Sequence, residues 1–267
     1  NPQKEHLDYA ENMIRTIPND VLDAVRDVNG AQAVVFSLLM DNKDVDIYAR
    51  QRELIKNKSN EIVSSFFEKI DPLVAKLDRS YRIVLADMAF ATLKGMTVLE
   101  FRAFSALLKE LSEMDMTIDL FEYTLQHMVK RRIARALGLT KKISAKGGIN
   151  DYIQPIISVI SCLAHWGQMQ TEYAQAAFRK GITLFPFGAN AELVSRDSCG
   201  LAGLEESLTA LEYAPPSVKQ LLVKACVETI FADKQVTVEE AEMLRAIVEA
   251  LDCPVPPIFA GTTVSQN

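Results

Sequence analysis

What is scarce in this 267-residue chain narrows the field first. Histidine occurs three times, at His6, His127 and His165, and no H-E-x-x-H is present. None of the three has a histidine or carboxylate partner at ligand spacing, so a zincin-type site finds no ligands here. The four cysteines, Cys162, Cys199, Cys226 and Cys253, stand at long, uneven gaps with no C-x-x-C pair. That argues against a zinc knuckle or a redox dithiol motif and points to buried thiols in a reducing compartment. Aromatics make up 7% with a single Trp, too few for stacking single-stranded nucleic acid, and a net charge of −6 disfavours a nucleic-acid partner in general. There is no Gly-x-Ser-x-Gly, and Ala145-Lys-Gly-Gly-Ile149 lacks both the spacing and the following Lys-Ser/Thr of a phosphate loop. The longest apolar stretches, Ala31–Met40 and Pro155–Trp166, fall short of the roughly 20 residues a membrane span needs. The N-terminus does not read as a signal peptide. It also lacks an initiator Met, from which the chain is expected to be part of something longer.

What is present is helix. Hydrophobic residues reach 49%, ample for a buried core, and strand-like alternation is rare. The pattern predicts short helices over Asp8–Arg15 and Val21–Asp27, the latter broken by Asn29-Gly30, then an apolar helix Ala31–Met40 and another from Asp46. Longer helices follow: Ile62–Ile70, ending near Asp71-Pro72; Ser80–Leu93, with Ile83, Val84, Met88 and Leu93 on its inner face; and Leu99–Leu111, opened by a Thr97–Glu100 capping box, with Phe101, Phe104, Leu107, Leu108 and Leu111 as a buried stripe. Leu120–Leu137 closes at Gly138. Asp151–Trp166, Thr171–Arg179, Leu201–Leu211, Ser217–Phe231 and Val238–Leu251 complete the reading. Leu221, Leu222, Ala225, Val227 and Ile230 are the expected inward residues of the fourth of these.

A short pattern occurs twice. Residues 115–122 read Asp-Met-Thr-Ile-Asp-Leu-Phe-Glu and residues 233–240 read Asp-Lys-Gln-Val-Thr-Val-Glu-Glu, both D-x-x-[I/V]-[D/T]-x-x-E between two apolar helices. At the same offset of 118 residues Phe90 matches Leu208, Leu93 matches Leu211, Phe104 matches Leu222 and Ile118 matches Val236. The echo implies a duplicated all-α module of antiparallel helical hairpins. The expected organisation is an N-terminal short-helix segment (1–58), a first repeat (59–140), a linker with connecting helices (141–200), a second repeat (201–260) and a disordered tail (261–267).

Two groups of residues could carry function. Asp115, Asp119, Glu122, Asp233 and Glu240 place carboxylates at the two turns and are weak candidates for a divalent cation. The ligand positions and glycine of an EF-hand are missing, and helix capping is the plainer role, with Asp119/Glu122 and Thr237/Glu240 at capping-box spacing. Residues 130–146 hold seven cations, Lys130, Arg131, Arg132, Arg135, Lys141, Lys142 and Lys146, and no acid. They could meet an anionic membrane surface or an acidic partner. The alternative is a helix C-terminus complementing its macrodipole, followed by a solvated loop.

The residues also carry a resemblance. The stretch from Ala232 to Ile247, continuing through Leu251-Asp-Cys-Pro-Val-Pro-Pro257, resembles the C-terminal extension of HtpX-like and CAAX-protease-like bacterial membrane zinc metallopeptidases, which contains TerB-like (tellurite-resistance-type) helical repeats. Glu113–Tyr123 with Leu125-Gln126 and Arg131 is similar to the first repeat of that extension. Asn29–Met40 with Ala49-Arg-Gln51 is similar to the segment just after the protease core. The resemblance implies a non-catalytic regulatory or protein-interaction region at the cytoplasmic face of the inner membrane, whose partner is a protein or the parent's own protease domain. The parent's zinc and H-E-x-x-H would lie in a segment not present here, so no catalytic residue carries over. TerB-type modules also imply an alternative, a metal-responsive stress module binding a divalent cation at its acidic turns. This sequence lacks glycine after either leading Asp, a departure from that pattern.

Overall fold

The computed structural model describes residues 15–114, 120–140, 144–168 and 170–254, apart from the side chains of residues 130 and 131. The regular elements among them are helical, with no β-strand, so the fold is all-α. The chain divides into two compact units, Asn1–Thr140 and Lys141–Asn267.

The first unit is organised around α2 (Val28–Leu38), whose residues from Gly30 to Leu38 are all buried. A helix apolar on every side is stable only when surrounded, and α2 is packed by α1 (Asn19–Ala24), α4 (Glu61–Val74), α5 (Tyr81–Leu93) and α6 (Val98–Ser112). Its start is fixed by Asp27, whose carboxylate accepts from the amides of Asn29 and Gly30 at 2.8 and 3.0 Å. The more polar α3 (Val45–Lys58) buries Ile55 and Gln51. Gln51 joins three segments: its Nε2 donates to the Leu39 and Leu111 carbonyls and its Oε1 accepts from Asp41 N at 2.8 Å. That satisfies an amide otherwise costly to bury. The α6 stripe is inward as its spacing predicts, with the Phe104 ring 5.4 Å from Phe36 of α2. After α7 (Leu120–Met128) the helix widens into a π-helical segment, Val129–Ala134. It closes at Gly138, whose φ of +70° lets the Leu139 amide return to the Ala134 carbonyl at 2.8 Å.

In the second unit α8 (Ile153–Gly167), entered through a 3-10 turn at Ile149–Tyr152, is the buried axis. It is packed by α9 (Thr171–Ile182), α10 (Leu201–Leu211), α11 (Pro216–Ile230) and α12 (Val238–Ala250). Pro216 occupies the first helical position of α11, where a missing N–H costs nothing. Inward on α11 are Val218, Leu222, Ala225, Cys226, Thr229 and Ile230, while Leu221 and Val227 sit half-buried rather than inside.

Local signals fail where tertiary contacts override them. Asn29-Gly30 does not break a helix but begins α2. A Cβ at Gly30 would lie 2.4 Å from the Ala24 carbonyl oxygen, so the glycine is there for the close approach of α1. Pro72 lies inside α4, which continues to Val74 because Leu73 and Val74 pack on the core. On α5 the inner face is Leu85, Ala86, Ala89, Phe90 and Leu93, with Ile83, Val84 and Met88 at its margin. This helix is apolar almost all round, and the two alanines decide which side comes closest.

The helices flanking the two acidic turns share one register. α6 and α11 run from 98 to 112 and from 216 to 230, α7 and α12 begin at 120 and 238, and α5 and α10 end at 93 and 211. Each pair is displaced by 118 residues. The matched residues Phe90 and Leu208, Leu93 and Leu211, and Phe104 and Leu222 are all buried to 1% exposure or less.

Candidate functional site

The carboxylates of the repeated turn separate on inspection. Asp115 and Asp119 lie outside the described residues. Glu122 is buried in the first turn of α7. In the second turn Asp233 is exposed and tied locally: Oδ1 accepts from Gln235 N at 3.0 Å and Oδ2 from Gln168 Nε2 at 2.8 Å. Glu240 is buried and closes the capping box, accepting from Thr237 N at 2.9 Å and Thr237 Oγ1 at 3.0 Å, while its own amide donates to Thr237 Oγ1 at 3.1 Å. Burial pushes its carboxyl above the usual range, and the Thr237 donors offset part of that shift. Its carboxylate presses on Gly167 at the end of α8, where an added Cβ would fall 2.0 Å from Oε1. In the second turn, then, the acids serve as cap and brace. No group of three or more His, Cys, Asp or Glu arranged to hold a metal occurs among the described residues.

The basic stretch is also divided. Lys130, Arg131, Arg132 and Arg135 belong to the first unit and Lys141, Lys142 and Lys146 to the second. Lys141 and Lys142, and the side chains of Lys130 and Arg131, lie outside the description. Arg132 pairs with Asp87 of α5 at 2.8 Å. Arg135 is exposed. Lys146 places its Nζ 5.6 Å from the centre of the Tyr213 ring, and its amide donates to the Tyr213 carbonyl at 2.8 Å.

Features not marked in the sequence lie in the first unit. Tyr48 of α3 donates to the buried Asp71 of α4 at 2.5 Å, next to the Arg52–Glu68 ion pair. Burial raises the Asp71 carboxyl above its ordinary value, with Tyr48 and Ser37 pulling the other way, and the Tyr48 hydroxyl is pushed up to about 12 by its bond to Asp71. One turn further along α4, a cavity of about 180 Å³ opens between α2, α4 and α5, lined by Ser37, Asn42, Asp78, Arg79, Tyr81 and Arg82 among others. That is below the volume of ordinary small-molecule sites. On the outer face of α4, Glu61, Ile62, Ser65, Phe66 and Lys69 line a shallower groove of about 380 Å³, with Ile62 58% exposed. In the second unit, α12 carries a buried ion pair, Arg245–Glu249 at 3.0 Å, beside the buried Glu242. No helix among the described residues is long and apolar enough to cross a membrane.

No family model, curated protein or solved structure matches the chain. Sequence reasoning missed Asp71 because a carboxylate before a proline reads as a helix stop; its meaning comes from a tyrosine 23 residues away.

Proposed function

We propose that this chain is a non-catalytic, protein-binding region of a bacterial membrane zinc metallopeptidase, facing the cytoplasm and built from a duplicated TerB-like helical unit. The observation that carries this reading is the common 118-residue register of helix ends and buried positions on either side of the two acidic turns. Two unrelated hairpins have no reason to share the ends of α6 and α11, the interval to the next helix start and most of their buried positions. Rigid helical units bind partners through apolar strips between or along helices. The Ile62–Phe66 strip on α4, with Glu61 and Lys69 at its ends, is the exposed apolar surface that suits this role. The partner is the parent's protease domain.

The experiment measures binding of this chain to that protease domain in detergent, by calorimetry, with wild type and Ile62→Glu compared. Full burial of an isoleucine contributes about 1.5–3 kcal/mol, and Ile62 has 58% of its surface left to bury, so the variant should bind about five- to twentyfold more weakly with its thermal stability unchanged. Peptide hydrolysis by this chain alone, with stoichiometric bound zinc, would overturn the reading.

A further inference from the structure

Three hydrogen bonds bring a loop of the second unit against α8. Ser161 Oγ accepts from Val194 N at 3.1 Å, His165 Nε2 lies 2.8 Å from the Val194 carbonyl, and Trp166 Nε1 donates to the Cys199 carbonyl at 3.3 Å. The segment from 194 to 199 therefore runs along the last turns of α8. Cys162, beside Ser161 and one turn before Trp166, meets Cys199 there, and the two thiols interact directly. Both are free and buried, at 0% and 5% exposure.

Their surroundings differ in a way that assigns roles. Cys162 is deep in the helix, with Ser158 as its other polar neighbour, and its partnership with Cys199 together with burial raises its pKa. Cys199 ends a 3-10 turn, Arg196–Ser198, in a stretch where residues 195–198 and Gly200 are exposed. A Cβ at Gly200 would meet nothing within 4 Å, so solvent begins one residue away. The Cys162 thiol, and after it the positive charge of Arg196, draw Cys199 below the ordinary thiol range against the effect of burial. A thiol beside a cation, near solvent and next to a second thiol, is the arrangement of an oxidant-sensitive cysteine with its resolving partner.

We propose that Cys199 and Cys162 form an oxidative modification site, in which Cys199 attacks hydrogen peroxide and Cys162 resolves the product to an intramolecular disulfide. In the first step the Cys199 sulfur forms a bond to one peroxide oxygen as the O–O bond breaks. The departing hydroxide takes the proton lost by the Cys199 thiol and leaves as water, and Cys199 is oxidised to a sulfenic acid. In the second step the Cys162 sulfur bonds to the Cys199 sulfur, the S–O bond breaks, and the hydroxyl leaves with the Cys162 proton as a second water. Two thiols and one hydrogen peroxide give one disulfide and two waters. The oxidant is small because Cys199 is only 5% exposed. The product adds a covalent tie to the polar contacts between α8 and the 194–199 segment.

The test treats the reduced full chain with equimolar hydrogen peroxide, alkylates the remaining thiols and maps peptides without reduction. The expected result is a Cys162–Cys199 cross-link, lighter by two hydrogens, reversed by dithiothreitol and retained in a C226S/C253S variant. Cys162→Ser should leave Cys199 as a sulfenic acid trapped by dimedone, and Cys199→Ser should leave Cys162 unmodified. Oxidised glutathione, being bulkier, should form the cross-link more slowly than peroxide at equal concentration. Recovery of both cysteines as alkylated thiols, a cross-link through Cys226 or Cys253 instead, or dimedone on Cys162 in the Cys199→Ser variant would overturn the proposal. The wild-type map decides even where a serine variant fails to fold.

Discussion

Replacing Gly30 with alanine sets helix propensity against packing, and the two predict opposite signs. Gly30 lies in the first turn of α2, in a helical conformation, so by propensity alone an alanine there should add about 1 kcal/mol. The added Cβ, however, would stand 2.4 Å from the Ala24 carbonyl oxygen and 2.8 Å from its Cα. These are backbone atoms of the chain segment just before α2, and they cannot swing aside as a flexible side chain does. Relief requires α1 to move away from α2, which loosens Val21 and Ala24, both fully buried. Overpacking of this kind costs about 1–3 kcal/mol and more where backbone must shift. The net expectation is a loss of about 1–2 kcal/mol, or roughly 3–6 °C in melting temperature for a unit of this size. Urea and thermal melts followed by circular dichroism measure it. Gly148→Ala is the control: a Cβ there meets nothing within 4 Å, and the backbone, with φ of −135°, accepts alanine, so stability should hold or rise by about 0.4–1 kcal/mol. A Gly30→Ala variant more stable than wild type would refute the close-approach reading of the α1–α2 junction.

Other expectations follow from the buried polar groups. Tyr48→Phe removes the donor to Asp71 and should cost about 1–3 kcal/mol at neutral pH, measured by urea titration. Because burial raises the Asp71 carboxyl above its ordinary value of 3.8, the fold favours its protonated form. That contribution is complete below pH 3.8 and is lost as pH rises through the raised value; Asp71→Asn should flatten this part of the pH–stability curve, and an unchanged slope would count against the assignment. Thr237→Ala and Thr97→Ala each remove a capping box worth about 1 kcal/mol, and the larger loss is expected at Thr237, whose partner Glu240 is buried. Arg245→Ala removes one partner of a buried ion pair and should cost about 3–5 kcal/mol, whereas replacing both partners with apolar residues of similar volume should cost much less.

The chain shows where local reasoning holds. The capping boxes at Thr97 and Thr237, the glycine stop at Gly138 and the stripe of α6 were all legible, because each is written in one short stretch of sequence. Reading Asn29-Gly30 as a break, Asp71-Pro72 as an end and Ile83, Val84 and Met88 as an inner face went astray for one reason: those residues answer to segments far away in sequence. The acidic turns illustrate both sides. Their sequence marks two helix starts, and the structure of the second shows its carboxylates spent on Thr237, Gln235, Gln168 and Gly167. The cysteines, evenly uninformative along the chain, become a pair only because Ser161, His165 and Trp166 hold a loop from some thirty residues away.

By itself the sequence determined that the protein is all-α, where most of its helices begin, and that two acidic bends recur at a fixed interval. These follow from dihedral preference, capping and apolar periodicity, which act over a few residues. Which face of α5 turns inward, why a glycine starts α2, which carboxylates are held above their usual range and which two thiols meet were decided by the tertiary structure alone. Burial and contact depend on what the rest of the chain brings to each position, and no window of local sequence contains that.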